Sequence, residues 1–434
     1  MMPPSSTKRL PKTHRHAGAN LLHKKVAAAI AGYREEMLEF LKLLISIPTE
    51  NPPGRAYAEC AEAISAQLER IGLPHQAVEA PPGEGAVAGA ARPRALLSFC
   101  GAGKRVLYFH GHYDVVPHSK DGQFAPVIRG QNLFGRGSSD MKSGLVAMIY
   151  AVRALKELSV PLLGRIGLTI VPDEETGGAG GSAFLRKAGI LGRDAMGMLT
   201  AEPTSGAIWN ASRGAISLQV TVKGKPAHVG LQHLGVNAFE RMLLVAGELE
   251  GLKREVESRI TEYRIRPAAA AHSILMLGGR CEGGSNFNLV PEDCSFPVDR
   301  RINPEENLAA EKKRILDLLA GLRKQGLELD VQILQEGAAS GVSEKSPLAL
   351  ALAANVIAVT GKTPSFEMCP GLLETRFYAE KQVPAMAYGP GLLSVSHGPN
   401  EFVPLKNIFD CATVYALTAV ELLDGQSVLE SGIP

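Results

Sequence analysis

The chain has 434 residues, too many for one ordinary hydrophobic core, so the sequence predicts two domains. Hydrophobic residues make up 45% and charged residues 21%, as in globular proteins, and a formal net charge of +2 gives no electrostatic reason to expect nucleic acid or a membrane as a partner. The six cysteines are scattered without a C-x-x-C pair, which indicates reduced thiols in a cytoplasmic protein rather than a disulfide framework.

The first elements of the chain predict a flexible start followed by two helices. Residues 1–25 are basic and rich in Pro and Ser, and they lack the apolar stretch of a secretory signal. They predict a disordered arm, with an organelle transit peptide as the alternative. Apolar residues at helical spacing then predict helices over 26–45 and 57–71, separated by a loop that contains proline and glycine.

The next segments alternate between strands and helices. The runs ALLSF (95–99) and VLYFH (106–110) predict strands, and 141–158 predicts a helix. Two further strands, RIGLTIVPDEE and AMGMLTAEP, end in acidic residues. This alternation predicts an α/β catalytic domain over 26–212, with a mostly parallel sheet and helices on both faces.

The pattern changes at about Arg213. Residues 214–224 alternate apolar and polar side chains, as a half-exposed antiparallel strand does, and such a strand could offer a free edge for pairing. Further strands and helices make 213–335 an inserted α+β domain. The α/β pattern resumes over 336–434, so the insert splits the sheet domain.

Residues of metal-ligand type follow several of these elements: His112, Asp140, the pair Glu174–Glu175, Glu202 and His397. Parallel strands align their carboxyl ends along one edge of a sheet, so these residues are expected to converge there. Two imidazoles with several carboxylates suit Zn²⁺ or a related divalent ion. Each residue alone has a simpler explanation, such as a helix-capping Asp140 or a solvated glutamate pair, but their shared position at element ends favours one site.

The motifs around these residues point to a known family. They are H-x-D in HGHYDVVP, G-R-G-x-x-D-M-K in GRGSSDMK, E-E-x-G in DEETGG, A-E-P at 201–203, and the late histidine in SHGPNEF. From about residue 27 to about residue 423 the chain resembles the M20 family of dinuclear metallohydrolases, the group of acetylornithine deacetylase, succinyl-diaminopimelate desuccinylase, carboxypeptidase G and related aminoacylases.

This resemblance implies two divalent ions per chain, with Zn²⁺ as the first expectation and Co²⁺ or Mn²⁺ as alternatives. It implies that His112 and Glu202 hold one ion and that Glu175 and His397 hold the other. Asp140 would bridge both ions, and a cis peptide bond would follow it.

The resemblance also implies roles around the ions. Asp114 would accept a hydrogen bond from the imidazole of His112. Glu174 would be the general base that takes a proton from a metal-bridging water and hands it to the leaving nitrogen.

The inserted domain resembles the lid and dimerisation domain of the family, which implies a homodimer. His228 would stabilise the oxyanion, often from the partner subunit. Asn288 and Arg301 match positions that bind a substrate carboxylate, and Arg213 and Arg376 match further positively charged positions.

Several residues depart from the desuccinylase pattern. Leu372 and Leu373 replace small hydroxyl residues, Glu374 replaces the usual aspartate, and Ser212 stands in place of an arginine. These changes predict a more apolar pocket and make succinyl-diaminopimelate a poorer candidate substrate.

The sequence thus predicts an amidohydrolase that cleaves an N-acyl amino acid or a similar small amide. A carboxypeptidase or dipeptidase on the same site is the alternative. A non-catalytic metal-binding scaffold would require loss of the base or of a ligand, and all of these residues are present. A nucleotide-binding α/β protein is disfavoured because no G-x-x-x-x-G-K-[ST] loop follows a strand.

Overall fold

The computed structural model of the protein describes residues 12–82 and 92–424. Within these ranges the helices are α1 (Lys12–Gly32), α2 (Arg34–Ser46), α3 (Tyr57–Arg70), α4 (Lys142–Glu157), α5 (Ser182–Lys187), α6 (Ala238–Val256), α7 (Leu308–Lys324), α8 (Pro347–Thr360), α9 (Thr375–Ala379) and α10 (Leu405–Leu423). The strands are β1 (His75–Glu79), β2 (Arg94–Gly101), β3 (Val106–His112), β4 (Val127–Arg129), β5 (Asn132–Phe134), β6 (Arg165–Val171), β7 (Ala195–Thr200), β8 (Ile208–Ser212), β9 (Gly214–Lys223), β10 (Ile274–Leu277), β11 (Glu282–Gly283), β12 (Asp293–Ile302), β13 (Leu329–Gly337), β14 (Ser340–Gly341), β15 (Phe366–Cys369), β16 (Ala385–Ala387) and β17 (Phe402–Pro404).

The chain divides into two compact units. The first contains the residues up to Gly206, Lys345–Pro364 and the residues from Ala387 onward, and the second contains Ala207–Glu344 and Ser365–Met386. The second unit therefore includes residues 365–386, which the sequence assigns to the catalytic domain. The roles predicted for the two parts of the chain, catalysis and lid, remain predictions.

The first unit is built on strands that pair in the order β1-β2-β6-β3-β7. Strands β6, β3 and β7 run parallel to one another, whereas β1 and β2 form an antiparallel extension. Every residue of β3 is buried, as expected for a parallel strand that is covered on both faces. The predicted α/β class with a parallel central sheet is confirmed, and the carboxyl ends of β3, β6 and β7 lie at one edge.

The second unit contains an antiparallel sheet in the order β10-β12-β9-β13, and β11 also pairs with β12. Along β9 buried and half-buried side chains alternate, and its buried face packs with α6 and α7 in one core. The prediction that this strand offers a free edge is wrong, because β12 pairs with one side of it and β13 with the other.

The start of the described chain differs from the predicted disordered arm. Residues 12–25 form the first part of α1, and residues 1–11 lie outside the described residues. The helix continues into an alanine-rich stretch in which Val26 and Ile30 are buried, and it packs against α4 and α10. Among the helices of the described ranges, none combines the length and apolar character needed to cross a bilayer.

Candidate metal centre and active site

Five side chains of metal-ligand type form two groups at the carboxyl edge of the first unit's sheet. In one group His112 Nε2 lies 3.4 Å from Asp140 Oδ1 and 3.9 Å from Glu202 Oε1. In the other His397 Nε2 lies 3.2 Å from Asp140 Oδ2 and 3.4 Å from Glu175 Oε2. Within each group the candidate ligand atoms are all within 4.8 Å of one another. Asp140 therefore directs one oxygen to each group.

The donor set fits a pair of divalent ions. Asp140 Oδ1 is buried and lacks a partner that meets hydrogen-bond geometry among the described residues. Burial of such an oxygen is costly unless a cation or a donor compensates it. Two ligand atoms at zinc-ligand distance from one ion, in a tetrahedral arrangement, are about 3.4 Å apart. The separations of 3.2 to 3.9 Å agree with that spacing.

His112 is the last residue of β3, and the main-chain oxygen of Asp114 orients its ring. Nδ1 lies 3.0 Å from the main-chain oxygen of Asp114 and 3.4 Å from the carboxylate of the same residue. The nearer acceptor is thus the carbonyl and not the predicted carboxylate. When Nδ1 donates this hydrogen bond, the lone pair of Nε2 faces the other ligands. Burial alone would lower the pKa of His112, but the carboxylates of Asp114 and Asp140 raise it well above its ordinary value.

The Asp114 carboxylate also supports the turn that carries the two glutamates. It accepts the main-chain N–H of Glu174 at Oδ1 and that of Glu175 at Oδ2, each at 3.1 Å. Burial would raise the pKa of Asp114, but His112 and Asn51 lower it overall. Asp114 therefore remains an anion that orders the 3₁₀ turn Glu174–Thr176.

Asn51 is a site residue that the sequence did not reveal. It is buried, and its Nδ2 lies 2.9 Å from Asp114 Oδ2, 3.1 Å from Asp173 Oδ1 and 2.9 Å from Thr176 Oγ1. It lies within the proline-containing loop between α2 and α3, where an asparagine is most simply explained as a turn residue. Its amide instead joins Asp114 to Asp173 beneath the glutamate turn.

The two adjacent glutamates point to different partners. Glu175 Oε1 accepts the N–H of Val116 at 3.2 Å, while Oε2 faces His397. Glu174 Oε2 lies 4.0 Å from His112 Nε2, and Glu174 belongs to neither ligand group. The roles of Glu175 as a ligand and Glu174 as a base remain predictions.

The second ligand group carries shifted pKa values. The carboxylates of Asp140 and Glu175 raise the pKa of His397 to about 11, although burial opposes this. Burial raises the pKa of Glu175, and His397 offsets part of that rise. Burial likewise favours a higher pKa for Asp140, but the two imidazoles bring it below its ordinary value. The peptide bond between Asp140 and Met141 is cis, as the resemblance implied.

The model of the family described as "Peptidase family M20/M25/M40" matches residues 108–421. The chain belongs to this family. The resemblance seen in the motifs is therefore confirmed, and with it a hydrolase that acts on amide or peptide bonds.

This M20 chain is similar to several characterised proteins. It is 29% identical over 326 residues to succinyl-diaminopimelate desuccinylase from Nitrosomonas eutropha, covering 73% of this chain and 82% of the relative. It is 24% identical over 418 residues to N-formyl-4-amino-5-aminomethyl-2-methylpyrimidine deformylase from Bacillus subtilis, covering 90% and 94%. Its fold matches that of the dipeptidase Dug1p from Saccharomyces cerevisiae with a TM-score of 0.74, at 18% identity, over 93% of this chain and 99% of the other.

In the second unit of this M20 protein, His228 is exposed and its ring orientation is fixed. Its Nδ1 accepts the N–H of Gly230 at 3.1 Å. A neutral imidazole that accepts at Nδ1 carries its proton on Nε2. The main-chain oxygen of Asn288 accepts the N–H of Val229 at 2.9 Å, so the two predicted positions lie on neighbouring segments.

The three predicted substrate-binding arginines differ in exposure. Arg301 is partly exposed and pairs through Nε and Nη2 with the carboxylate of Asp299, at 2.6 and 3.0 Å. Arg213 is buried, and it donates to Asn303 Oδ1 at 3.2 Å and to two main-chain carbonyls. Arg376 is also buried, with its guanidinium 4.1 Å from the centre of the Phe377 ring. Burial of Arg213 and Arg376 argues for structural roles.

The residues that depart from the desuccinylase pattern are mostly enclosed. Leu373 is buried, and the Ser212 hydroxyl lies 2.9 Å from that of Ser340 and 3.2 Å from that of Thr375. Leu372 is half-buried, and its side chain lies close to Gly337. Of these departures, Leu372 is the better placed to contact a ligand.

Proposed function

We propose that this protein is a dinuclear metal-dependent amidohydrolase that removes the acyl group from an N-acyl amino acid or a similar small amide. The observation that carries the proposal is the pair of ligand groups that share Asp140, with Glu174 beside them and in neither. The names of the relatives from Nitrosomonas eutropha and Bacillus subtilis, a desuccinylase and a deformylase, support removal of an acyl group.

The five ligands would hold two divalent ions, with Zn²⁺ as the first candidate and Co²⁺ or Mn²⁺ as alternatives. When bound, such ions polarise an amide carbonyl and make a water molecule more acidic. Glu174 would accept a proton from the attacking water and deliver it to the leaving nitrogen. Asp114 keeps the main chain of Glu174 in place through the N–H bond at 3.1 Å, so the base keeps its orientation.

His228 stabilises the developing oxyanion by donating a hydrogen bond to it from Nε2. The N–H of Gly230 occupies Nδ1, so the proton on the exposed side of the ring is available for donation. A preorganised donor of this kind acts where charge develops in the transition state. We propose that His228 serves the site of a second subunit.

The second unit presents an apolar surface suited to another copy of this chain. Residues of the turn Val229–Leu234 and of α6 expose large apolar side chains, namely Val229, Leu231, Leu234, Phe239, Leu243 and Leu244. Gly247 and Gly251 leave open space on α6, which allows close approach. Exposed apolar patches of this kind are typical of protein interfaces. We therefore propose a homodimer that forms through the second unit.

For the substrate, we propose a free carboxylate that Arg301 binds with the help of Asn288. Asp299 occupies Nε and Nη2 of Arg301, which leaves Nη1 for a ligand. An arginine that holds a carboxylate orients the neighbouring amide as well as contributing energy. Leu372 would favour an acyl group that is at least partly apolar.

We further propose a cytoplasmic location. None of the six cysteines is paired in a disulfide, and four of them are buried. Reduced thiols are typical of proteins in that compartment.

One screen tests the function. Metal-free protein is reconstituted with Zn²⁺, Co²⁺ or Mn²⁺ and assayed on N-acetyl, N-formyl and N-succinyl amino acids, on their C-terminal amides, and on dipeptides. We expect the fastest hydrolysis for an N-acyl amino acid with a free carboxylate. If only dipeptides are hydrolysed, the protein is a dipeptidase and the proposed deacylase function is wrong. No hydrolysis by a protein that binds two ions would refute the enzyme proposal.

A further inference from the structure

A buried ion pair lies behind the candidate metal centre without belonging to either ligand group. Arg136 Nη1 donates to Glu401 Oε2 at 2.6 Å, and both side chains are almost wholly enclosed. Enclosing two opposite charges costs desolvation energy, so the pair by itself is weak evidence for stability. The other hydrogen bonds of Arg136 and Glu401 show which parts of the main chain this ion pair holds in place.

Glu401 binds the main chain of the loop that ends in Asp140, the candidate ligand common to both groups. Its Oε1 accepts the main-chain N–H groups of Gly137 at 3.0 Å, Ser139 at 2.9 Å and Asp140 at 3.0 Å. A carboxylate that accepts several N–H groups fixes the local backbone through charge-assisted hydrogen bonds. The main chain of Asp140 is therefore set by Glu401 before any ion is bound.

Arg136 binds the main chain of the segment that carries His397. Its Nη2 donates to the main-chain oxygen of His397 at 3.2 Å and to that of Pro117 at 3.3 Å. The backbone of His397 has a φ of 62°, in the left-handed region that few residues other than glycine adopt. The His397 side chain is 51% exposed, so little packing holds it.

The other histidine ligand does not depend on this pair. His112 lies at the end of a fully buried strand, and its Nδ1 is 3.0 Å from the main-chain oxygen of Asp114. The two ligand groups therefore differ in how they are supported. Both groups share Asp140, which Glu401 holds, but the histidine of the first group is held by the sheet and that of the second by Arg136.

We propose that Arg136 and Glu401 are positioning residues that hold Asp140 and His397 at ligand separation before metal binding. This inference rests on the proposed metal-dependent function. Ligands that are ordered in advance lose less freedom when they bind, which raises affinity. The pair therefore supports the ion of the Asp140–Glu175–His397 group more than the ion of the His112 group.

The test is metal binding by the variant Glu401→Gln of the full chain. Equilibrium dialysis against buffered Zn²⁺ gives the affinity of each ion, and His397→Ala identifies the step that belongs to the second group. We expect that step to weaken by about 10- to 100-fold in Glu401→Gln, as for other residues that support metal ligands, with a smaller change in the other step. Raising the concentration of Zn²⁺ should restore hydrolysis, because the variant lacks positioning and retains its catalytic groups.

A matched control is Glu311→Gln in the second unit. Glu311 also pairs with an enclosed arginine, Arg300, at 2.9 Å, so its loss disturbs a comparable ion pair far from the ligands in sequence. Both binding steps should remain as in the unaltered protein. Equal weakening in Glu311→Gln and Glu401→Gln would show a general loss of stability and would overturn the inference.

The remaining outcomes are also decisive. A folded Glu401→Gln protein that binds both ions as tightly as the unaltered protein overturns the inference. If that variant does not fold, Arg136→Lys decides, because it keeps the charge beside Glu401 but loses the bond to the oxygen of His397; unchanged binding in it also overturns the inference. An unaltered protein that binds fewer than two ions refutes the proposed function itself.

Discussion

Replacing Asn51 by alanine should loosen the turn that carries the catalytic glutamate. The Asn51 amide nitrogen has two protons for three acceptors, on Asp114, Asp173 and Thr176, so it donates at most two full hydrogen bonds, and the amide oxygen accepts a longer one from the Thr176 hydroxyl at 3.3 Å. Hydrogen bonds to charged groups contribute about 1.5–3 kcal/mol each. Asp114 Oδ2 keeps the N–H of Glu175 and Asp173 Oδ1 keeps the Thr176 hydroxyl, so neither oxygen is left without a donor. We therefore expect a local loss of about 2–4 kcal/mol.

Hydrogen exchange at the turn measures this loss directly. The amides of Glu174 and Glu175 are those that Asp114 binds. A loss of about 2 kcal/mol corresponds to exchange roughly 30-fold faster at these amides, because 1.36 kcal/mol is a factor of ten. Mass spectrometry of the metal-free protein after labelling resolves such a change.

Asn210→Ala is the matched control for this measurement. Asn210 is also buried, and its amide donates to the main-chain oxygen of Val342 at 2.8 Å. Its loss should cost about 1 kcal/mol in the second unit and leave the amides of Glu174 and Glu175 unchanged. If Asn51→Ala leaves their exchange within twofold of the unaltered protein, Asp114 holds the turn alone and the reasoning is refuted.

Five further predictions concern the candidate site. Glu174→Gln should lower kcat by about 10²–10⁴-fold while two ions remain bound, and loss of one ion would identify Glu174 as a ligand. His112→Ala should lose one ion by elemental analysis, and retention of two would contradict its assignment. Because the pKa of His397 is raised to about 11 without metal, ion uptake at pH 8 should release protons, which calorimetry in two buffers detects. Because the pKa of His397 is raised from 6.5 in the unfolded chain to about 11, protonated His397 makes its full contribution to the free energy of unfolding of the metal-free protein below pH 6.5. This contribution should disappear as the pH rises through 11. His228→Ala and Glu174→Gln chains, each inactive alone, should recover activity when mixed, and a fully active monomer would contradict the dimer.

The convergence of the candidate ligands could be predicted because their position follows from chain geometry. A strand fixes where its last residue lies, so His112 and Glu202 could be placed at the sheet edge from the run of apolar residues before them. Asn51 and Glu401 could not, because their partners are main-chain N–H groups and carboxylates that become neighbours only in the fold. A loop asparagine or a lone glutamate carries no pattern that reveals such partners.

The wrong prediction that β9 has a free edge also has a physical cause. Alternating apolar and polar residues show that β9 has one buried face, but the same alternation occurs in interior and in edge strands. The flanking strands β12 and β13 come later in the chain, so the pairing could not be inferred from β9 alone. A substrate contact for Arg213 remains a prediction; its main-chain carbonyl partners, which are far away in sequence, could not be inferred from its match to charged family positions.

The shared carboxylate has a consequence for the charge balance of the site. When ionised, Asp140, Glu174, Glu175 and Glu202 carry four negative charges, which the four positive charges of the two proposed divalent ions would offset. A site with a single ion would keep a surplus of negative charge that repels an incoming carboxylate. This balance of charges would favour divalent ions over monovalent ones. It would also keep anionic substrates away from a protein that holds only one of the two ions.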